Sequence, residues 1–136
     1  MKILIASHGT LAKGMKCSLE LIMGKQEEVK TFCAYLDGET SIEARVKEFM
    51  ENIKEGEEWV IVTDLLGGSV NNEFMKYIHR PDVHLLTGMN LALLLVLTEL
   101  KDASVEVAIE EALNAAREGA VNCRKLLDAE AKNEDF

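Results

Sequence analysis

Near its start the chain reads ILIASHGT, residues 3–10. The first four of these residues form a short, continuous apolar run, which is typical of a strand buried on both faces of a parallel sheet. A second run of this kind is Val60-Ile61-Val62, which is β-branched and ends at Thr63-Asp64. These two segments are therefore predicted to be central parallel strands.

Two weaker strand signals flank this pair in the chain. Residues Val29 to Leu36 include two aromatic side chains, and residues Val83 to Thr87 lie between Pro81 and Gly88. Aromatic and β-branched residues bounded by Pro or Gly are characteristic of strands. The total is four predicted strands.

Helical patterns follow the first two strands. Apolar residues recur at helical spacing from Leu11 to Gly24, and Gly24 has the place of a left-handed C-terminal residue. The same spacing recurs from Ile42 to Ile53, where Thr40 and Glu43 match a capping box with Thr40 as N-cap. We expect a helix in each segment.

The second half of the chain continues this alternation. A shorter helix is predicted over Val70 to Ile78, a fourth from Leu91 to Leu100 with Asn90 as N-cap, and a fifth through Ala116 with Ser104 as N-cap. Alternating strands and helices indicate an α/β fold, an open and mainly parallel four-stranded sheet with helices on both faces. Ligands of such sheets bind beyond the carboxyl ends of the strands, at a switch point in strand order.

Length and charge narrow the class of protein. The 136 residues suit one domain, predicted over residues 1–128, followed by an acidic tail over residues 129–136. A net charge of −9 argues against nucleic acid as a partner. The longest apolar run, Leu91 to Leu97, is far shorter than the ~20 residues of a spanning helix, and no signal peptide is recognisable. We expect a cytoplasmic protein.

The three cysteines, Cys17, Cys33 and Cys123, are odd in number and lack a CxxC spacing. Their neighbours are mostly apolar. They are predicted to be buried, reduced thiols in a reducing compartment.

The candidate chemistry lies at the ends of the two central strands. His8 ends the first strand, where a neutral imidazole nitrogen could act as a nucleophile. Asp64 ends the third strand and, if the two strands are neighbours, could accept one ring N–H and leave the other nitrogen free to attack phosphorus. The alternative is that His8 is a solvated loop residue and Asp64 a turn-former.

A glycine-rich segment follows Asp64. Gly67 and Gly68 would let backbone N–H groups approach an anion at a helix N-terminus, and Ser69 could donate its hydroxyl to a phosphoryl oxygen. Together with Gly9 they form the predicted phosphate-binding set. The alternative is an ordinary Gly-Gly turn with Ser69 as an N-cap. Neither a metal nor a cofactor is expected to be needed.

These motifs resemble those of a known family. Residues 3–10 with the helix to Gly24, residues 62–71 (VTDLLGGSVN), and the segment from Thr87 to about Lys125 resemble the mannose-family enzyme IIA domains of the sugar phosphotransferase system. The resemblance implies that His8 accepts phosphate from the histidine-containing phosphocarrier protein. It also implies that Asp64 orients His8, and that a IIB domain receives the phosphate for sugar uptake, so that contact with the membrane is indirect.

The resemblance has further consequences. Family members often carry a hydroxyl residue where this chain has Leu65, and Pro-Phe where it has Val70-Asn71. No IIB domain follows in this chain, so the next carrier is expected to be a separate polypeptide. Members form homodimers by exchanging a short C-terminal strand, which Gly119 to Leu127 could supply. The identity of the sugar cannot be predicted from this sequence, because in such a system the membrane components select the sugar.

Three other readings stay open at this point. A histidine phosphatase would need an arginine where the chain has Ser7 and a second catalytic histidine, and His79 and His84 are more typical of surface or core positions. A receiver-like module phosphorylated on Asp64 would need acidic metal ligands after the first strand. A regulatory phosphohistidine domain or a simple anion-binding domain remains the third alternative.

Overall fold

Strands and helices alternate along the chain up to the fourth helix, and two further helices follow. The structure is a computed structural model that describes residues 1–134. The elements are β1 (Lys2–His8), α1 (Leu11–Met23), β2 (Val29–Ala34), α2 (Glu43–Glu51), β3 (Trp59–Thr63), α3 (Ser69–Met75), β4 (Val83–Thr87), α4 (Leu91–Glu99), α5 (Val105–Glu118) and α6 (Cys123–Glu134).

The four strands form one parallel sheet in the order β2-β1-β3-β4. The central strand is β1, whose Ala6 lies opposite Phe32 of β2 on one side and Thr63 of β3 on the other. The chain moves outward to β2 on one side of β1 and to β3 and β4 on the other. The first and third strands are therefore neighbours, which is the condition for bringing His8 and Asp64 together, and the switch point in strand order lies between them.

Both faces of the sheet are covered, as the continuous apolar runs predict. Ile3 and Ile5 face a core layer formed with α1, α4 and α5, whereas Leu4 and Ala6 face a second layer formed with α2 and α3. All four side chains are at most 2% exposed. Full burial of one such Leu or Ile contributes about 1.5–3 kcal/mol, so both layers fix the position of β1.

The helix starts agree with two of the three predicted N-caps. Asn90 accepts a hydrogen bond from the backbone of Leu93, and Ser104 accepts one from Val107. The capping box at Thr40 is wrong, because α2 begins at Glu43 with Ile42 as the N-cap residue and no side-chain cap bond. The Ile42 side chain is 3% exposed, so core packing decides where this helix starts.

The second strand and the third helix are shorter than predicted. The second strand ends at Ala34 and not at Leu36, because Tyr35 and Asp37 have φ angles of 65° and 53° and leave the strand conformation. The third helix begins one residue early, at Ser69, and ends at Met75, three residues before the predicted end.

The C-terminal segment is helical from Cys123 to Glu134, and every residue from Cys123 to Asn133 is exposed. The predicted acidic tail thus lies partly in α6, while Asp135 and Phe136 lie outside the described residues. In this single chain, residues 119–122 precede the helix without regular structure. The domain boundary at residue 128 and the exchanged strand stay predictions.

The predicted burial of the cysteines is wrong for two of them. Cys17 and Cys123 are exposed and Cys33 is half-buried, all as free thiols. Cys17 lies on the outer face of α1, whose inner face carries Ala12 and Leu19. Within residues 1–134, no helix is both long and apolar enough to cross a membrane.

Candidate functional site

The candidate site lies at the carboxyl edge of the sheet, between β1 and β3. Ala6 of β1 pairs with Thr63 of β3, so the residues that come after these two in the chain lie side by side at the edge of the sheet. His8 is the last residue of β1, and Asp64 directly follows β3. The structure therefore brings together the two residues that the sequence marks as nucleophile and orienting carboxylate.

His8 and Asp64 are joined by two hydrogen bonds. The backbone N–H of His8 donates to Asp64 Oδ2 at 2.8 Å, and His8 Nδ1 lies 2.8 Å from the same oxygen. The His8 side chain is 44% exposed, whereas that of Asp64 is 12% exposed. The ring is thus held by Asp64 through Nδ1, and part of the side chain remains open to solvent.

Asp64 is ionised at neutral pH. Partial burial raises the pKa of Asp64, whereas hydrogen bonds from the backbone and the ring of His8 lower it. The lowering is the larger effect, so the pKa of Asp64 lies below its ordinary value. An ionised carboxylate only accepts hydrogen bonds. Nδ1 of His8 must therefore carry a proton, and in the neutral form of the ring Nε2 then presents its lone pair.

Ser69 lies at that second ring nitrogen. Its Oγ is 3.2 Å from His8 Nε2, so a hydroxyl group lies within hydrogen-bonding distance of this nitrogen. The N-cap residue of α3 is Gly68, and Ser69 is the first helical residue, so the alternative of Ser69 as an ordinary N-cap does not hold. Its exposed hydroxyl is available to a ligand.

The glycine loop is fitted against the imidazole. A Cβ on Gly68 would lie 3.2 Å from His8 Cε1 and 3.1 Å from the carbonyl oxygen of Leu65, so a side chain there would press on the ring. Gly67 has a φ of 78°, which a glycine adopts without strain. Its carbonyl accepts a hydrogen bond from Asn72 Nδ2 at 3.1 Å, which holds the loop to α3.

Two of the predicted phosphate-binding glycines use their N–H groups inside the protein. Gly9 donates to the carbonyl of Ala34 at 2.8 Å, and Gly68 donates to that of Leu65 at 3.0 Å. Their amides are therefore engaged in this structure. They shape the backbone around His8, and the hydroxyl of Ser69 is the polar group at the open nitrogen.

A buried polar cluster supports the end of β3. Thr63 Oγ1 donates to Asn71 Oδ1 at 2.7 Å and lies 2.9 Å from Thr87 Oγ1. Thr63 and Asn71 are at most 3% exposed. Since Thr63 directly precedes Asp64, this cluster ties the carboxylate to α3 and β4.

Ser7 has a structural role that the sequence did not reveal. It is fully buried, and its Oγ accepts the backbone N–H of Ala12 at 2.7 Å. That N–H belongs to the first turn of α1, where backbone donors have no partner inside the helix. Ser7 therefore fixes the start of α1 directly after His8.

Sequence reasoning also missed Tyr35 as a site residue. Its hydroxyl donates to Ser69 Oγ at 2.8 Å, and its ring centroid lies 5.7 Å from that of His8. The pattern placed Tyr35 inside the second strand, where side chains alternate between the two faces of the sheet. The nearby Asp37-Gly38 turn is the signal that could have ended the strand earlier.

The other two histidines lie elsewhere. His84 is the second residue of β4 and sits 3.1 Å from Glu58, which precedes β3, at the amino edge of the sheet. His79 is exposed beyond the end of α3. Neither supplies the second catalytic histidine of a phosphatase. Among the described residues, no three His, Cys, Asp or Glu side chains are grouped so that they could hold a metal ion.

Comparison with known proteins agrees with this arrangement. The sequence model of the family EIIA-man, described as "PTS system fructose IIA component", matches residues 2–117. No curated protein matches the chain significantly.

Solved structures give matches over nearly the whole chain. One is a crystal structure from Klebsiella pneumoniae, assigned as a phosphoenolpyruvate-dependent sugar phosphotransferase system permease, with 37% identity, a TM-score of 0.88 and 93% coverage of both chains. A phosphotransferase system component EIIA from Streptococcus agalactiae is 31% identical with a TM-score of 0.77, over 91% of this chain and 98% of that one. A PTS IIA protein associated with the fucose utilization operon of Streptococcus pneumoniae is 29% identical, with a TM-score of 0.80, over 93% and 95%.

Proposed function

This chain belongs to the EIIA-man family of PTS system fructose IIA components, and on that premise we propose that His8 is its phosphoryl carrier. His8 takes the phosphoryl group from the histidine-containing phosphocarrier protein and passes it to a IIB domain on a separate polypeptide. The observation that carries this proposal is the hydrogen bond from Nδ1 of His8 to Asp64. It leaves the exposed Nε2 as the nucleophile.

The transfer is a displacement at phosphorus. The lone pair of His8 Nε2 forms a new N–P bond while the N–P bond of the donor phosphohistidine breaks, and its electron pair returns to the donor imidazole. The Nδ1 proton of His8 stays in place. In the second transfer, a nucleophile of the IIB domain forms a new bond to phosphorus while the His8 N–P bond breaks and its electron pair returns to Nε2. No metal or cofactor takes part in this scheme.

Asp64 provides the electrostatic part of the mechanism. Phosphorylation of Nε2 places a positive charge on a ring that still carries the Nδ1 proton, and the carboxylate 2.8 Å away stabilises that charge. Because Asp64 is already ionised and its side chain is only 12% exposed, it needs no rearrangement as the charge forms. The same contact orients Nε2 toward an incoming phosphorus.

Apolar side chains near His8 offer a contact surface for both partners. Leu65 and Leu66 in the loop after β3 are 62% and 76% exposed, and Leu11 at the start of α1 is 46% exposed. All three follow strand ends at the carboxyl edge of the sheet. A partner that covers them would exclude water from Nε2 during the transfer.

The experiment that tests the proposal is phosphorylation by the phosphoenolpyruvate-driven carrier chain, with mapping of the adduct. We expect one acid-labile phosphate per chain on His8 and none on the His8→Ala variant. His79→Ala is the matched control, because His79 is exposed and lies outside the site; it should label like the original protein. Full labelling of His8→Ala, or an adduct that is cleaved by alkali as an acyl phosphate is, would contradict the proposal.

A further inference from the structure

We propose that Tyr35 is a positioning residue for phosphoryl transfer that acts through Ser69, an inference that rests on the function proposed above. The three side chains form a continuous chain of contacts. Tyr35 Oη lies 2.8 Å from Ser69 Oγ, and Ser69 Oγ lies 3.2 Å from His8 Nε2. In this series of hydrogen bonds Tyr35 reaches His8 Nε2 only through Ser69, so its effect on phosphoryl transfer must pass through the serine.

The direction of each hydrogen bond follows from Asp64. In the neutral form of the ring, which is the nucleophilic one, the carboxylate keeps the proton on Nδ1, so Nε2 can only accept a hydrogen bond and the Ser69 hydroxyl must be its donor. Ser69 then has no proton left for Tyr35, so the phenol donates to Ser69 Oγ. Tyr35 thereby occupies an acceptor site of Ser69 and aims the serine proton at the transfer position.

The same arrangement serves the phosphorylated state. Once Nε2 is bonded to phosphorus, it no longer accepts a hydrogen bond, and the Ser69 proton turns to a phosphoryl oxygen. Tyr35 still donates to Ser69 Oγ and keeps the serine from donating back to it. The hydroxyl of Ser69 thus remains a donor to the phosphoryl group in both states.

The backbone of Tyr35 is restrained in a way that places its ring at the site. Its φ of 65° is unusual for a residue other than glycine. Its N–H donates to Glu39 Oε1 at 2.9 Å, and that oxygen also accepts from Arg45 Nη2 at 3.0 Å. Arg45 Nη2 bonds in turn to the carbonyl of Cys33 at 2.8 Å. This network holds Tyr35 outside β2, with its ring beside the imidazole of His8.

The first test is kinetic and compares phosphoryl exchange in Tyr35→Phe, Ser69→Ala and the double variant. Tyr35→Phe keeps the ring that packs on His8 and should slow exchange about two- to tenfold, the effect of one neutral hydrogen bond. The double variant should be no slower than Ser69→Ala alone, because Tyr35 acts through the serine. Tyr77→Phe is the matched control, because Tyr77 is the other of the two tyrosines in the sequence. It should leave the rate of phosphoryl exchange unchanged. Equal rates for Tyr35→Phe and the original protein, or additive losses in the double variant, would overturn the proposal.

The second test needs no phosphate. In mildly alkaline solution the ¹⁵N resonance of His8 Nε2 reports the hydrogen bond that this nitrogen accepts. Tyr35→Phe should move this resonance toward its position in Ser69→Ala, while Tyr77→Phe should not. If only Ser69→Ala moves it, Tyr35 does not act through Ser69. An original protein that accepts no phosphate would instead contradict the proposed function, so the two failures are distinct.

Discussion

One oxygen of Asp64 accepts two hydrogen bonds from His8, one from its backbone N–H and one from Nδ1 of its ring, both at 2.8 Å. The first bond fixes the end of β1 relative to the loop after β3. The second fixes the rotation of the imidazole. Because both bonds reach the same oxygen, the position of the histidine backbone and the orientation of its ring depend on a single carboxylate.

Asp64→Asn should keep the fold and slow phosphoryl exchange by about 10- to 100-fold, the effect of losing a hydrogen bond to a charged group. The amide can present its N–H₂ to the ring and favour the tautomer with the proton on Nε2. Rapid-quench measurement of exchange with the phosphocarrier checks this prediction. The matched control is Asp37→Asn, an exposed aspartate after β2. If both variants exchange at the original rate, Asp64 is only structural.

Acid should remove the contribution of Asp64 to stability. Its folded pKa lies below the ordinary value of 3.8, so the unfolded chain binds more protons as the pH falls through this range. The contribution is fully present above the unfolded value and is lost as the pH falls through the folded value. Urea unfolding should therefore show a difference between the original protein and Asp64→Asn at pH 7 that shrinks below pH of about 4.

Two other carboxylates do not disturb this comparison. Hydrogen bonds from Lys2 and Arg80 lower the pKa values of Glu57 and Asp82, respectively, and both pairs are present in the original protein and the variant. The contributions of these two pairs to stability therefore cancel in the difference in free energy of unfolding between the original protein and Asp64→Asn. A difference in the free energy of unfolding that stays constant from pH 7 to pH 3 would contradict the assignment to Asp64.

Gly68→Ala should impair phosphoryl transfer more than folding. The backbone φ of Gly68 is −69°, which alanine adopts freely, but its Cβ would press on His8 Cε1 and the Leu65 carbonyl. We expect a loss of about 1–3 kcal/mol of stability from overpacking and a displaced imidazole. The control is Gly14→Ala in α1, where a Cβ meets no atom within 4 Å; this change should stabilise the helix by roughly 0.5–1 kcal/mol. Thermal unfolding and exchange rates check both variants, and full activity of Gly68→Ala would disprove the close fit.

A homodimer should form through the segment after Glu118. Strand β4 is an edge of the sheet, and its unpaired N–H and C=O groups can be covered by a strand from a second copy. Val121, Leu126 and Leu127 are 53%, 49% and 66% exposed in the single chain, which suits burial in a partner. Light scattering should give a dimer for the full chain and a monomer for a chain ending at Glu118. A full chain that is monomeric at micromolar concentration excludes the dimer, and a truncated dimer excludes the segment.

Much of the fold could be predicted because its signals are local in the sequence. The apolar runs of β1 and β3 predict burial on both faces, and the caps at Asn90 and Ser104 follow from side chains that accept a nearby N–H. His8 and Asp64 could be paired because parallel strands end at a common edge. The pairing also requires β1 and β3 to be neighbours, and the strand order of the structure meets this condition.

The parts that could not be predicted depend on packing between distant segments. Thr40 has the composition of a cap, but the burial of Ile42 sets the start of α2. Tyr35 contacts Ser69 across 34 residues of sequence, and no local pattern encodes such a contact. Cys17 is predicted to be buried, yet it lies on the outer face of α1 and is exposed to solvent.

The central position of β1 has a consequence for how the chain folds during synthesis. Of the four strands β1 is synthesised before the others, but Asp64, which contacts His8 at its end, lies 56 residues after His8. Contacts of such sequence separation form slowly, since the intervening chain must lose entropy before they can stabilise it. A nascent chain can complete β1, α1 and β2 and still have one side of its oldest strand uncovered. If His8 is the phosphoryl carrier, as we propose, we expect it to accept phosphate only after the third strand has joined and brought Asp64 to the imidazole.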